Sequence, residues 1–273
     1  MEGIRLAVIG AGTMGKAILQ GAFRQNIMSP AQVWLSNPHE DKLSPFGDMG
    51  VNTTTSNREA AEHGDVILLA VKPQCLGGVL EEIADLASGK CVVSIAAGVS
   101  YRSLCQRLKG AWVVCVMPNT PLTLGCGACA MTEQGDVPDA LYRFVHDLFA
   151  CAGLVEPVKP EEMNRMIPVN GSSPAFFFRM VRCMVRAAAD SGLDEGTALR
   201  LAAKTMEGAA LMLQQSGKTA AELEAQVCSP GGTTLAALTA FDEWDFDAMM
   251  QQAFARCVRR AQELGTEQPD NQA

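Results

Sequence analysis

The feature that most constrains this chain is a short apolar strand that runs into a glycine turn and then an apolar helix. Ile4-Arg5-Leu6-Ala7-Val8-Ile9 leads into Gly10-Ala11-Gly12-Thr13-Met14-Gly15, and a helical pattern continues to about residue 25. Alone, GxGxxG is a weak pattern. Between a strand and a helix, within a longer alternation of the two, it specifies a βαβ unit with a dinucleotide-binding turn. Gly10 is expected to allow the tight turn, Gly12 to admit a pyrophosphate, and Gly15 to let the helix pack closely on the strand. Ala11, Thr13 and Met14 complete the turn at the helix start, where unpaired backbone N–H groups favour an anion.

The alternation continues along the first half. Residues 32–35, 65–71, 91–95 and 112–117 read as strands, with helical segments near 57–62, 75–86 and 100–108; 126–131 adds a strand and 138–151 its helix. This predicts an α/β domain with a doubly wound, mainly parallel sheet. After about residue 158 the rhythm becomes almost all α. A long helix follows Ser173-Pro174 to Ala189. Another opens at Asp194-Glu195 and reaches about Gln215, and shorter ones begin near Ala221, Thr234 and Asp245. The expected architecture is a Rossmann-type domain over 1–158 followed by an all-α domain over 159–273. The apolar faces of its helices, rich in Ala, Met and Leu, suit dimerisation; a bundle closed within one chain is the alternative. The tail after Gly265 is polar and expected to be mobile.

Composition narrows the class. With 273 residues, 48% of them hydrophobic, the chain can build two cores. Its apolar runs are too interrupted for a transmembrane helix, and the first strand begins too early to leave room for a signal peptide. A net charge of −8 argues against broad nucleic-acid binding. The ten cysteines lie mostly in apolar segments, as expected of reduced core residues in a cytoplasmic protein. Cys126 and Cys129 form a CxxC without a second pair and read as structural. His63 and His146 are isolated, so no metal site is expected.

The nucleotide half also hints at which cofactor binds. The second strand ends in Ser36-Asn37-Pro38-His39, without the acid that usually accepts bonds from a free ribose. Ser36 and Asn37 can bond a 2′-phosphate, and His39 and Lys42 can add positive charge. NADPH is therefore expected in preference to NADH, with NADH possible. Asn57 is placed in the same cofactor-binding set. Ala70-Val71-Lys72-Pro73, Ala96-Ala97-Gly98 and Met117-Pro118-Asn119 lie at carboxyl ends of strands, which gather around the crevice. Pro118 is suited to shape the nicotinamide wall, and Asn119 to bond the carboxamide. For Lys72, a proton donor, a loop cap and a charge beside phosphate all remain open.

A second constellation lies far along the chain. Val227-Cys228-Ser229-Pro230-Gly231-Gly232-Thr233-Thr234 puts glycines and hydroxyls just before an apolar helical run, a place suited to a small carboxylate.

Together these segments resemble the pyrroline-5-carboxylate reductase family. The resemblance runs through 4–10, Ala70-Val71-Lys72-Pro73, 93–99, Met117-Pro118-Asn119-Thr120-Pro121 and Gly171-Ser172-Ser173-Pro174-Ala175-Phe176, and culminates in 227–234, covering nearly all the chain in order. It implies a cytoplasmic enzyme that completes proline biosynthesis, transferring hydride from NAD(P)H to C5 of Δ1-pyrroline-5-carboxylate to give L-proline. It also implies a homodimer interlocked through the helical domain, with a homodecamer as a further assembly and partner-subunit residues closing the site. By the same resemblance, Ser229, Gly231, Gly232 and Thr233 bind the substrate carboxylate, while Thr234 contacts the ring nitrogen as the catalytic residue. Gln215 takes the place of a frequent glutamate beside the substrate, and a glutamine carries no charge. Asn170 stands where serine is common, and Phe176 where tyrosine is.

The implied chemistry needs neither a covalent nucleophile nor a metal. A protonated C=N bond accepts hydride directly, and the protein orients, balances charge and excludes water. A β-hydroxyacid dehydrogenase would need a lysine base in the helical half, for which Lys204 is the candidate. A non-enzymatic NADPH sensor is the alternative of another class.

Overall fold

In the computed structural model of this chain, residues 3–266 are described. The polar tail expected to be mobile lies, from residue 267 on, outside them. The first half contains β1 (Leu6–Ile9), α1 (Thr13–Arg24), β2 (Val33–Ser36), α2 (Glu40–Gly47), β3 (Asn52–Thr54), α3 (Asn57–His63), β4 (Val66–Leu69), α4 (Pro73–Ile83), β5 (Cys91–Ser94), α5 (Tyr101–Arg107), β6 (Trp112–Met117), β7 (Gly127–Thr132), α6 (Asp139–Ala150) and β8 (Gly153–Val158). The strands form one sheet in the order β3-β2-β1-β4-β5-β6-β7-β8. From β3 to β6 all pairings are parallel; β7 runs antiparallel to β6, and β8 pairs parallel with β7.

Strand sequence explains the two-sided core. Successive side chains point to opposite faces. Leu6, Val8, Val66 and Leu68 therefore enter one buried cluster, and Ala7, Ile9, Ile67 and Leu69 enter the other. Helices cover both faces, as a parallel sheet requires. Two strands escaped the sequence reading, and both are edges. β3 is the short polar run Asn52-Thr53-Thr54. β8 carries Pro157, which only an edge strand tolerates well.

Beyond β8 come α7 (Met163–Met166), a π-helical turn (Ile167–Gly171), α8 (Ser173–Asp190), α9 (Glu195–Gln215), α10 (Ala220–Val227), α11 (Thr233–Glu243) and α12 (Phe246–Thr266). The chain divides into two compact units, one holding the residues up to Pro174 with those from Cys257 onward, the other Ala175–Arg256. The change of rhythm at 158 falls where β8 ends. The first unit continues past it because Met163 and Ile167 bury themselves in the sheet's second core cluster. The end of α12 joins the same unit. Ala261 is buried there, and a side chain on Gly98 (φ +75°) would come within 3.0 Å of the Leu264 Cβ.

The second unit is helical throughout. Asp194 and Thr219 cap α9 and α10 through side-chain bonds to the N–H groups of Thr197 and Glu222. Burial is sparse. No residue of α9 or α11 is buried, and Phe177, Phe178, Met184, Leu199, Leu201 and Trp244 are among its exposed large apolar side chains.

Candidate active site

The glycine turn is built as its sequence requires. Gly10 has φ +109°, and a Cβ there would sit 2.6 Å from the Ala70 carbonyl oxygen at the end of β4. A Cβ on Gly15 would lie 2.7 Å from the Gly10 carbonyl oxygen, so bare backbone lets α1 settle against the strand. Gly12 is different, since no atom lies within 4 Å of where its side chain would begin. Gly12 also starts α1 without a side-chain cap, and the first turn holds no acid. Open backbone donors at the positive end of a twelve-residue helix fit a dinucleotide pyrophosphate.

From this turn a cleft of about 410 Å³ runs along the carboxyl ends of β1, β4, β5 and β6. The structure brings Gly12, Thr13, Met14, Ala70, Val71, Lys72, Pro73, Ala97, Met117 and Pro118 together along it, as the sequence places them. Ala96, from the loop expected at the crevice, also lines it, as do Ile95 and Ile167, to which sequence reasoning assigned no cofactor role. Gly171 and Ser172 do too; their Gly-Ser-Ser-Pro pattern is expected either to pack below the nicotinamide or to serve as a turn and N-cap. Lys72 is exposed, and its backbone forms the N-cap of α4 ahead of Pro73. Lys72 thus stands at the N-cap position, without a side-chain cap bond, and beside the cleft.

Several other expected cofactor residues make hydrogen bonds within the chain. Ser36 is fully buried, and its hydroxyl donates to Asn57 Oδ1 at 2.8 Å, while Asn57 Nδ2 donates to Glu82 at 2.8 Å. Asn37 Oδ1 accepts from the His39 N–H at 3.0 Å. His39 and Lys42 are exposed, with Glu40 and Asp41 in the same first turn of α2. Asn119 is buried, and its Oδ1 accepts from the Ala128 N–H at 2.9 Å, tying the loop after β6 to β7. Gly98 lies behind the cleft, in a neighbouring cavity of about 310 Å³ that shares Ala96 and Met117 with it.

Cys115 borders that cavity, and burial pushes its thiol up to about 12. Burial likewise pushes Cys129 up to about 12, while its CxxC companion Cys126 is exposed. Neither buried sulfur is a thiolate near neutrality.

In the second unit, residues 229–234 form a turn followed by a helix start. The Gly232 N–H donates to the Ser229 carbonyl at 2.9 Å, with Pro230 and then Gly231 (φ +70°) between them. That is the type II β-turn pattern, which takes proline at its second residue and a positive φ at its third. Gly232 is the N-cap of α11, without a side-chain cap and with no acid in the first turn. A Cβ on Gly232 would collide with the Ser229 hydroxyl and approach its carbonyl oxygen to 3.0 Å. Ser229 and Thr233 are exposed and Thr234 is half-buried, so Ser229, Gly231, Gly232, Thr233 and Thr234 share one accessible turn. Gln215 is the exposed last residue of α9. Lys204 is exposed and pairs with Glu207 at 2.9 Å on the same helix, as a solvated helix face does.

Comparison with known proteins decides the family. A relative from Escherichia coli (strain K12), pyrroline-5-carboxylate reductase, is 34% identical over 263 residues, covering 95% of this chain and 98% of its own. The chain belongs to the pyrroline-5-carboxylate reductase family. It is accordingly an oxidoreductase. A second relative in the family, from Corynebacterium melassecola, is 35% identical and covers 95% of this chain and 98% of its own. The family model for pyrroline-5-carboxylate reductase dimerisation matches residues 160–264, and that for NADP oxidoreductase, coenzyme F420-dependent, matches 5–98. Among solved structures, the reductase from Coxiella burnetii superposes with a TM-score of 0.88 at 31% identity, covering 96% of this chain and 98% of that one. The Plasmodium falciparum enzyme, solved with NADP bound, gives 0.87 at 27%, covering 97% and 99%. The match to the dimerisation model supports homo-oligomerisation through the helical half.

Proposed function

We propose that this chain reduces the C=N bond of Δ1-pyrroline-5-carboxylate to L-proline, the last step of proline biosynthesis, with NADPH as its preferred reductant. The observation that carries the reading is the open glycine turn at Gly12 leading into a cleft at the sheet's carboxyl edge, in a chain of this family. NADPH when bound supplies the hydride. Gly10, Gly12 and Gly15 shape the pyrophosphate seat, and Ala97, Met117 and Pro118 wall the nicotinamide end. Asn37, His39 and Lys42 favour a 2′-phosphate, and the adjacent Glu40 and Asp41 moderate that preference, so NADH is a slower alternative.

The turn at 229–234 grips the substrate. N–H groups at the start of α11 hold the carboxylate, with Ser229 and Thr233 beside them, and the Thr234 hydroxyl orients the ring nitrogen. A hydroxyl is a weak acid, so Thr234 positions an already protonated imine instead of protonating it. Gln215 supplies an uncharged polar group near the substrate. The enzyme acts in the cytoplasm as a homodimer, with a homodecamer as a larger assembly. The solvated Lys204–Glu207 pair disfavours hydroxyacid oxidation.

The direct test is purified protein with Δ1-pyrroline-5-carboxylate, NADPH and NADH oxidation compared and proline identified as product. No oxidation of either by folded protein overturns the reading, and oxidation of a β-hydroxy acid in its place would favour the dehydrogenase alternative. NADPH-dependent assembly without turnover would favour a sensor. In the same assay Thr234→Ala lowers kcat/KM roughly tenfold or more, about 1.4 kcal/mol or above. Its NADPH affinity stays near that of the unaltered enzyme. An unchanged kcat/KM removes Thr234 from the mechanism.

A further inference from the structure

One side chain links the two walls of the cofactor cleft at its inner end. Asn170 lies in the π-helical turn Ile167–Gly171, which the Ser172 N–H closes by donating to the Ile167 carbonyl at 2.8 Å. Its Nδ2 donates to the Met117 carbonyl at 2.6 Å and to the Ala128 carbonyl at 3.1 Å. Only an amide NH2 can face two carbonyls, so the orientation of the group is fixed. Its Oδ1 therefore points elsewhere, enclosed and without a partner in the chain.

The location gives the two bonds their meaning. β6 and β7 pair only at Val116↔Met131 and Met117↔Ala130. Beyond these pairs, side chains take over from the ladder. Asn119 accepts from the N–H of Ala128, and Asn170 donates to its carbonyl. Met117 and Pro118 line the cleft from the sheet, while Gly171 and Ser172, which directly follow Asn170, line it from the turn. The two sides lie close here, since a Cβ on Gly171 would rest in ordinary contact with the Met117 sulfur at 3.5 Å. In a doubly wound sheet the adenosine lies on the β2 side of the glycine turn and the nicotinamide on the β4–β6 side. Asn170 is thus at the nicotinamide end.

We propose that Asn170 is a positioning residue for hydride transfer, stapling the Gly171–Ser172 turn to the end of β6 and so setting the width of the nicotinamide end of the cleft. This rests on the reading of the cleft as a dinucleotide site. The two fail separately. If the unaltered enzyme does not bind NADPH, the cleft reading falls; if it binds and the variants match it, the staple falls.

Three variants make the test. Asn170→Ala removes the staple. Asn170→Leu also removes it while filling the space and deleting the unpartnered acceptor, and so guards against simple loss of folding. Asn170→Asp turns an acceptor toward the two carbonyls and is expected to be worst. Each is compared with the unaltered enzyme for NADPH Kd, for KM of both substrates, and for binding of adenosine 2′,5′-bisphosphate, which occupies only the adenosine end. The expected result for Asn170→Leu is a fivefold or greater rise in NADPH Kd and KM. The KM for the imino acid and the affinity for the bisphosphate should change by less than twofold. Equal weakening of bisphosphate and NADPH, or a fall in folded fraction with Michaelis constants unchanged, would show a purely structural role and overturn the proposal.

Discussion

At the level of single residues, the three glycines of the first turn separate folding from binding. Gly10 and Gly15 are held by what surrounds them, whereas Gly12 faces open space. Gly10→Ala would place a side chain at a φ of +109° and a Cβ 2.6 Å from the Ala70 carbonyl oxygen. Backbone strain of this kind costs about 1–3 kcal/mol, and the collision adds to it. Gly12→Ala meets nothing inside the protein, so its melting temperature should stay within about 2 °C of the parent, a shift worth under about 1 kcal/mol. Its NADPH Kd should still rise tenfold or more. Thermal melts and NADPH titrations of both variants check this pair. A Gly12→Ala protein that melts far lower, or binds as tightly as before, contradicts the division of labour.

Among the elements, helix starts in the second unit are set by short polar motifs. Thr219 caps α10 in a reciprocal box with Glu222, whose carboxylate accepts from the Thr219 N–H and hydroxyl, both at 2.8 Å. The backbone bond first, then the hydroxyl, lowers the Glu222 pKa below its ordinary 4.5. A lowered folded pKa means stability that is fully present above 4.5 and lost as pH falls through the folded value. Thr219→Ala should cost about 1 kcal/mol at neutral pH. The gap between parent and variant should narrow in acid, as pH falls past 4.5 and Glu222 protonates. Denaturant melts across pH test it, and a gap that stays constant into acid would assign the whole effect to the Thr219 hydroxyl.

The same elements show what a sequence reveals. The starts of α8 to α12 were legible to within a residue or so, helped by Asp194-Glu195, Thr219 and Gly232-Thr233, whereas the four-residue α7 and the π-helical turn were too short to show a period. β1, β4, β5 and β6 were legible as unbroken apolar runs. β3 and β8 were not, because an edge strand has less to bury and can be as polar as Asn52-Thr53-Thr54 or contain Pro157. The glycine turn and much of the cleft were readable because bare backbone leaves a pattern. The inward turn of Ser36 and the tether made by Asn119 were not, since a polar side chain at a strand end can face ligand or scaffold with the same spelling.

For the whole molecule, the helical unit exposes more large apolar surface than a lone chain should. Phe178 is 68% exposed and Leu201 65%. An exposed substitution with no partner changes stability by about 0.5 kcal/mol or less. Phe178→Asp and Leu201→Asp, made singly, should instead shift the dimer toward monomer in light scattering. They should also lower a melting temperature that, in the parent, rises with protein concentration. A parent that is monomeric at micromolar concentration would refute this. The chain's order adds a constraint of its own. The unit with the glycine turn is completed by residues from Cys257 onward, where Ala261 and Leu264 close over the loop carrying Gly98. During synthesis, the β5–α5 loop therefore stays uncovered until the second half of α12 has been made. A truncation within α12 would damage the half of the protein that was made first.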